Sequence, residues 1–127
     1  MKPGEKLPPL EKTFTAVDLF AYGAATWDWH RLHYDAGFAR SKGLAAPVID
    51  GQMYGAVLAR AAMSWAGPRA FMKRMSLRMK ALSFAGDALR AEGEVASIEN
   101  RTIILRQKLL KDGNVVAEAT TEIRLPD

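Results

Sequence analysis

The feature that most constrains the fold of this chain is segment 51–66, GQMYGAVLARAAMSWA, which is apolar on almost every side. The spacing of its apolar residues predicts a helix, with Asp50 placed to cap its start and Gly67-Pro68 placed to end it. Its few polar side chains are Gln52, Arg60 and Ser64. Such a helix has no wide polar face to expose, so other apolar surface has to wrap around it.

The second half of the chain supplies that surface as four stretches in which apolar and polar residues alternate. The stretches are 71–82, 87–98, 102–111 and 115–125. A period of two is typical of antiparallel strands with one buried face, and Asp112-Gly113 predicts a hairpin turn between the last two stretches. The sequence therefore predicts a single α+β domain over 1–127, in which an antiparallel sheet wraps around the central helix.

The first 50 residues are predicted to be less regular. Three prolines indicate an extended arm over 1–12 that does not pair regularly. Helical spacing predicts a short helix over 16–25, and Asp35 is placed to cap a second short helix over 35–40. No repeat or linker divides the chain, so one domain is expected.

The composition and the N-terminus exclude several classes of protein. The chain has no cysteine, which excludes disulfides, thiolate metal sites and a cysteine nucleophile. The net charge is +4 and the basic residues are scattered, which is not typical of a nucleic-acid-binding surface. The start, MKPGEKLPPLEK, lacks an apolar signal region, and no apolar run approaches the roughly 20 residues of a membrane span. We therefore expect a cytoplasmic protein with no membrane or nucleic-acid partner.

The chemistry is concentrated in segment 26–35, TWDWHRLHYD, which contains both histidines of the chain. Asp28 and His33 could share the proton transfers of adding or removing water, since a carboxylate beside an imidazole raises its basicity. The same residues are also compatible with a turn-capping aspartate and a histidine in the core. His30 and His33, three residues apart, could bind a metal together, although a pocket or surface role for His30 is favoured and no metal site is predicted.

Two further features are compatible with a site for an anionic, thioester-like ligand. Gly51 opens the predicted helix, where free N–H groups and the helix dipole favour negative charge, although glycine there could simply permit close packing. A row of basic residues on the first strand could meet phosphates or could be a solvated face: Arg74, Arg78 and Lys80. No glycine-rich phosphate fingerprint is present, and no cofactor is predicted.

These residues together resemble the MaoC-like, or R-specific, enoyl-CoA hydratases of the hotdog fold. The family pattern is an aspartate, four residues, a histidine, one residue, an aspartate and, further on, Phe-Ala; here it reads D28-WHRL-H33-Y-D35-AG-F38-A39. The family's Pro, two apolar residues and His-Gly-Met correspond here to P47-V-I-D50-G51-Q-M53, and Gly86-Asp87 matches a later glycine–aspartate pair. The resemblance covers nearly all of the chain after residue 14.

The resemblance implies that Asp28 and His33 are the catalytic pair and that Asp35 is a cap. They would add water to a trans-2-enoyl thioester of coenzyme A or an acyl carrier, reversibly and on one face, giving the R-3-hydroxyacyl product. The Gly51 N–H would bind the thioester oxygen, and four nearby residues would contribute to oxyanion or substrate binding: Asp50, His30, Tyr54 and Met53. Tyr54 and Met53 could equally belong to the core.

The chain departs from the family pattern at four positions. His30 stands for asparagine, Arg31 for proline, Asp50 for histidine, and Ala59 for a serine that some members carry. The resemblance also implies a homodimer, and the stretch S64-W-A-G-P-R-A70 is similar to single-hotdog subunits of steroid side-chain hydratases, which work with a second subunit. A hotdog acyl-CoA thioesterase is the alternative activity, because fold alone does not fix function.

Overall fold

The computed structural model describes residues 1–127, and its architecture is α+β, as the sequence predicts. One five-stranded antiparallel sheet, in the strand order β1-β3-β4-β5-β2, curls around the longest helix. The strands are β1 (Leu10–Thr13), β2 (Phe71–Met79), β3 (Ala88–Glu99), β4 (Thr102–Lys111) and β5 (Asn114–Arg124). The helices are α1 (Ala16–Thr26), α2 (Ala36–Ser41) and α3 (Gly51–Ala66), with a 3₁₀ turn at Arg31–His33.

Helix α3 has the predicted ends and fills the concave side of the sheet. Oδ1 of Asp50 accepts a hydrogen bond from the N–H of Gln52 at 3.0 Å, and Gly67 ends the helix with a φ of +99°. Its buried side chains are Met53, Tyr54, Val57, Leu58, Ala61 and Ala62. A narrow exposed stripe remains: Gln52, Ala56, Arg60 and Ser64. Neither α3 nor the two shorter helices combine the length and apolar character that crossing a membrane requires.

The sheet follows the predicted alternation between buried and exposed side chains. In β4, Ile103, Leu105 and Leu109 are completely buried, and each pairs with a residue on the same face of β5. The turn between these strands is Asp112-Gly113, where φ is +50° and +78°, the backbone conformation that a two-residue hairpin requires. The sequence therefore predicted the hairpin and its turn.

The N-terminal arm corrects one prediction. Residues Leu10–Thr13 pair regularly with β3, from Leu10 opposite Ala91 to Thr13 opposite Ala88. The prediction that the whole arm stays unpaired was wrong because its last two prolines, Pro8 and Pro9, precede this strand and leave its own N–H groups available. The arm thus covers one edge of the sheet.

A buried polar network joins the sheet to α3. The amide nitrogen of Gln107 donates to the carbonyl oxygen of Leu58 at 2.8 Å, and the hydroxyl of Thr121 donates to the amide oxygen of Gln107 at 2.6 Å. Both polar side chains are almost fully buried. A buried polar group contributes to stability only while its partners are present. This network therefore holds α3 in one position relative to β4 and β5.

Replacing Thr121 by valine, which has nearly the same shape, is expected to lower the free energy of unfolding by about 1–3 kcal/mol. The loss arises because the Gln107 amide oxygen keeps its burial and loses its donor. Urea denaturation of both proteins measures it. Thr120→Val, on the exposed face of the same strand, is the matched control and should change stability by no more than about 0.5 kcal/mol. Equal losses in both variants would show that the network contributes nothing.

Candidate active site

The end of α1 positions Asp28. Trp27 leaves the helix in the left-handed conformation, with a φ of +58°, and the N–H of Asp28 donates to the carbonyl oxygen of Gly23 at 2.9 Å. A Cβ at position 23 would lie 2.8 Å from the backbone oxygen of Asp28, which is closer than real Cβ contacts. Glycine at 23 therefore lets the chain turn tightly enough to present Asp28 beside the next turn.

The 3₁₀ turn presents His33 in one defined orientation. Nδ1 of His33 lies 2.7 Å from the carbonyl oxygen of Val48. A carbonyl oxygen only accepts, so Nδ1 carries the hydrogen, and Nε2 of the neutral ring has its lone pair free. This tautomer aims the basic nitrogen of His33 away from Val48 and toward two carboxylates.

The two carboxylates belong to Asp28 and Asp50, and they lie symmetrically about His33. Oδ2 of each aspartate is 4.0 Å from Nε2 of His33. The side chain of Asp28 is 40% exposed, that of His33 is 22% exposed and that of Asp50 is 14% exposed. The cluster of three side chains is thus partly buried, and its Asp28 side is open to solvent. The structure brings together the predicted pair, Asp28 and His33, and adds Asp50 to it.

Gly51 begins α3 directly beside this cluster. As the first residue of the helix, its N–H has no carbonyl of a preceding turn to bind. A Cβ at position 51 would lie 1.9 Å from Sδ of Met79, so the side chain of Met79 occupies the space that any larger residue would need. A larger residue at position 51 would have to displace this exposed, flexible side chain, whereas glycine leaves it in place beside the backbone donor next to Asp50.

Comparison with known proteins places the chain in a family. The family model described as MaoC like domain matches residues 1–118. The chain belongs to the MaoC-like domain family. It is 27% identical to the (R)-specific enoyl-CoA hydratase of Aeromonas caviae over 111 residues, which are 85% of this chain and 83% of that protein.

Two solved structures agree with this MaoC-like assignment at the level of the fold. The (R)-hydratase from Aeromonas caviae involved in PHA biosynthesis superposes with a TM-score of 0.92 at 24% identity, covering 99% of this chain and 98% of that one. The ChsH1-ChsH2 complex from Mycobacterium tuberculosis superposes with a TM-score of 0.90 at 23% identity, covering 98% of both chains. These likenesses confirm the hotdog fold predicted from the sequence.

Electrostatics in the MaoC-like site favour an ionised Asp28. The pKa of Asp28 is lowered, first by its hydrogen bond with the Asp50 carboxyl, then by the N–H of His30 and by the charges of the two histidines. Burial and the negative charges of Asp50 and Asp28 raise the pKa of Tyr22, whose hydroxyl donates to Gln52 at 3.1 Å. The site is therefore a region of negative potential that favours a proton or a cation near its centre.

Asp35 lies just outside the cluster and has the predicted structural role. Its Oδ1 accepts the N–H of Phe38 at 3.0 Å and caps α2, and its Oδ2 pairs with the guanidinium of Arg31 at 2.9 Å. These bonds hold the pKa of Asp35 below its usual value, with the N–H of Phe38 contributing most. Asp35 thus orders the turn that carries His33.

The other predicted site residues occupy three different environments. Met53 and Tyr54 are buried in the core, where the hydroxyl of Tyr54 bonds Ser83 and the carbonyl oxygen of Ala81. His30 is exposed, and its ring centre lies 5.9 Å from that of His33. The predicted phosphate contacts are exposed residues of β2 and the segment after it: Arg74, Arg78 and Lys80. Contact of any of these residues with substrate stays a prediction.

The three basic residues lie away from the cluster of Asp28, His33 and Asp50 in the isolated chain. Side chains of β2 alternate, and Leu77 faces α3, because a Cβ on Gly55 would lie 3.4 Å from it. Arg78, the next residue, therefore lies on the opposite, outer face of the sheet. Lys80 pairs with Glu118 of β5 at 3.9 Å.

Sequence reasoning missed two contributors to the site. The carbonyl oxygen of Val48 sets the tautomer of His33, and a backbone carbonyl leaves no mark in a sequence. Phe20 of α1 packs edge-to-face on Trp29 and Tyr34, with ring centres 5.6 and 6.0 Å away. Phe20 lies in the interior of α1, and helical spacing alone does not reveal these partners.

The cluster is also the place in the chain where a metal could be held. Asp28, His33 and Asp50 each offer one ligand atom, and these atoms lie within 4.8 Å of one another. These ligand atoms are of the types that bind a divalent ion. Their spacing suits a bound water molecule equally well. The sequence predicts no metal here, and that prediction remains open.

Proposed function

We propose that this MaoC-like protein is an enoyl-thioester hydratase, or 3-hydroxyacyl-thioester dehydratase in the reverse direction. The observation that carries the proposal is the convergence of Asp28 and His33, with Nε2 of His33 4.0 Å from Oδ2 of Asp28. A separation above 3.5 Å between such groups is suited to a bridging water. The family membership and the curated relative's activity as an (R)-specific enoyl-CoA hydratase support the same reaction.

In the proposed reaction, water adds across the double bond conjugated to the thioester. Asp28 and His33 divide the proton transfers: one removes a proton from the attacking water and the other delivers a proton to the carbon next to the thioester carbonyl. The N–H of Gly51 stabilises the enolate oxygen as negative charge develops on it. Because both groups approach from one side, the addition is syn, and we assign the R-3-hydroxyacyl product by analogy with the curated relative.

The proposal also covers the setting of the reaction. The substrate is a coenzyme A or acyl-carrier thioester, the compartment is the cytoplasm, and the working unit contains at least two hotdog domains. Two similar structures are described as complexes, ChsH1-ChsH2 and HadBC, both from Mycobacterium tuberculosis. An assembly of two copies of this chain is the simplest unit, and a hetero-oligomer is the second possibility.

The purified chain is expected to hydrate crotonyl-CoA, which removes the ultraviolet absorbance of the conjugated thioester. Chiral analysis of the 3-hydroxybutyryl product should give the R isomer. A thiol-reactive dye added in parallel should stay colourless, because hydration leaves the thioester intact. Release of free coenzyme A without loss of the double bond would instead identify a thioesterase, and would overturn the hydratase proposal.

A second candidate function is one subunit of a two-chain hydratase, favoured by the similarity to the ChsH1-ChsH2 complex. The two candidate functions predict different activities for the purified chain. As one subunit of a two-chain enzyme, the chain would be inactive alone and active only after a second hotdog subunit is added. Full activity of the chain alone excludes it.

A further inference from the structure

The function proposed above requires Asp28 and His33, yet Asp50 faces the same ring nitrogen at the same distance. Oδ2 of Asp28 and Oδ2 of Asp50 are each 4.0 Å from Nε2 of His33. The ligand atoms of the three side chains lie within 4.8 Å of one another. A water bonded to two groups at about 2.8 Å holds them roughly 4.6 Å apart, so the three atoms surround a position for one water.

Donors and acceptors at this position balance only if one proton is added. Nδ1 of His33 keeps its hydrogen on Val48, so a neutral ring offers Nε2 as an acceptor. Two carboxylate oxygens and Nε2 then make three acceptors, and one water has two hydrogens to donate. With one proton added to the cluster the set becomes two acceptors and one donor, which matches the water's two hydrogens and its lone pair.

We propose that Asp50 is a further catalytic residue, which binds the reacting water together with Asp28 and His33. This inference rests on the hydratase function. In the step, the water oxygen bonds to C3 and gives its proton to the Asp28 carboxylate, while Nε2–H of His33 gives its proton to C2. The C2–C3 π electrons form the new C2–H bond. The proton on Asp28 then returns to Nε2, and the cluster regains its starting state.

Both aspartates are anchored through Oδ1, Asp28 by the N–H of His30 at 3.3 Å and Asp50 by the start of α3. Oδ1 of Asp50 is held by the N–H of Gln52 at 3.0 Å, which leaves Oδ2 for the water. The neighbouring elements contribute two other titratable groups, Tyr22 from α1 and His30 before the 3₁₀ turn. Neither is a carboxyl group, so Asp28 and Asp50 are the two carboxyl groups that face Nε2 of His33.

Asp50→Asn tests the inference because asparagine caps a helix as well as aspartate and differs in charge. With its oxygen used by the cap, its amide presents a donor to the water where the carboxylate presents an acceptor. We expect kcat for crotonyl-CoA to fall by about 10²-fold with little change in KM, since one acceptor that holds the reacting water is lost.

Asp50→Ser, also a good cap and neutral, should behave in the same way, so one poorly folded variant does not decide the result. Asp18→Asn is the matched control: the same change in the capping box at the start of α1 should leave kcat in place. An active wild type with unchanged kcat in both Asp50 variants would overturn the inference alone. A wild type that hydrates no enoyl thioester at any pH would overturn the proposed function and this inference with it.

Discussion

His33→Ala is expected to lower the hydration rate by at least about 10²-fold, the scale on which a positioned acid–base group contributes. Alanine removes the only ring nitrogen that both carboxylates face, and it also breaks the bond to Val48. Asp28→Asn, which keeps the shape and removes the charge, is expected to produce a loss of similar size. Initial rates with crotonyl-CoA at saturating and limiting substrate separate the effect on kcat from the effect on KM.

Asp18→Asn is the control for this experiment. Asp18 lies in the first turn of α1, at the end of the helix opposite to Asp28, and makes only local capping bonds with Thr15. Its variant should keep the wild-type rate. Wild-type rates in His33→Ala or in Asp28→Asn would remove the pair from the chemistry and leave the fold as the main conclusion.

Leu58→Ala is expected to lower the free energy of unfolding by about 2–5 kcal/mol, the largest single effect on stability that we predict. Leu58 is completely buried in the face of α3 that packs against the sheet, so truncation leaves a cavity with little freedom to collapse. Equilibrium denaturation, with the slope compared between proteins to verify two-state unfolding, measures the loss.

Arg60→Ala, two residues further along α3, is the matched control because Arg60 lies in the exposed stripe of the helix. It should change stability by no more than about 0.5 kcal/mol. A similar small effect from Leu58→Ala would mean that α3 is not the centre of the core. That outcome would contradict the wrapping argument from which the fold was first predicted.

The fold could be predicted because each element carries its own local signal. An almost fully apolar 16-residue helix requires a wrapping partner, and strands with alternating residues supply one. The ends of α3 follow from Asp50 and Gly67, both of which act within one turn. Strand β1 was missed because its partner, β3, lies about 80 residues away and four residues are too few to show a period.

The site was predictable in part, and for a different reason. Asp28 and His33 were selected by resemblance to a family pattern, and the structure brings them together. The symmetry of Asp28 and Asp50 about one nitrogen was not predictable, because it depends on how the start of α3 docks beside the 3₁₀ turn. The orientation of His33 likewise depends on a carbonyl 15 residues away, which no side-chain pattern records.

The tight approach of Gly23 to the backbone of Asp28 links the interior of α1 to the position of one carboxylate. Any side chain at position 23 would push against the peptide that carries the carboxylate, although residue 23 itself lies in α1. Replacement of Gly23 is therefore expected to displace Asp28 as well as to strain the helix. The absence of one methyl group thus sets how closely α1 can approach Asp28.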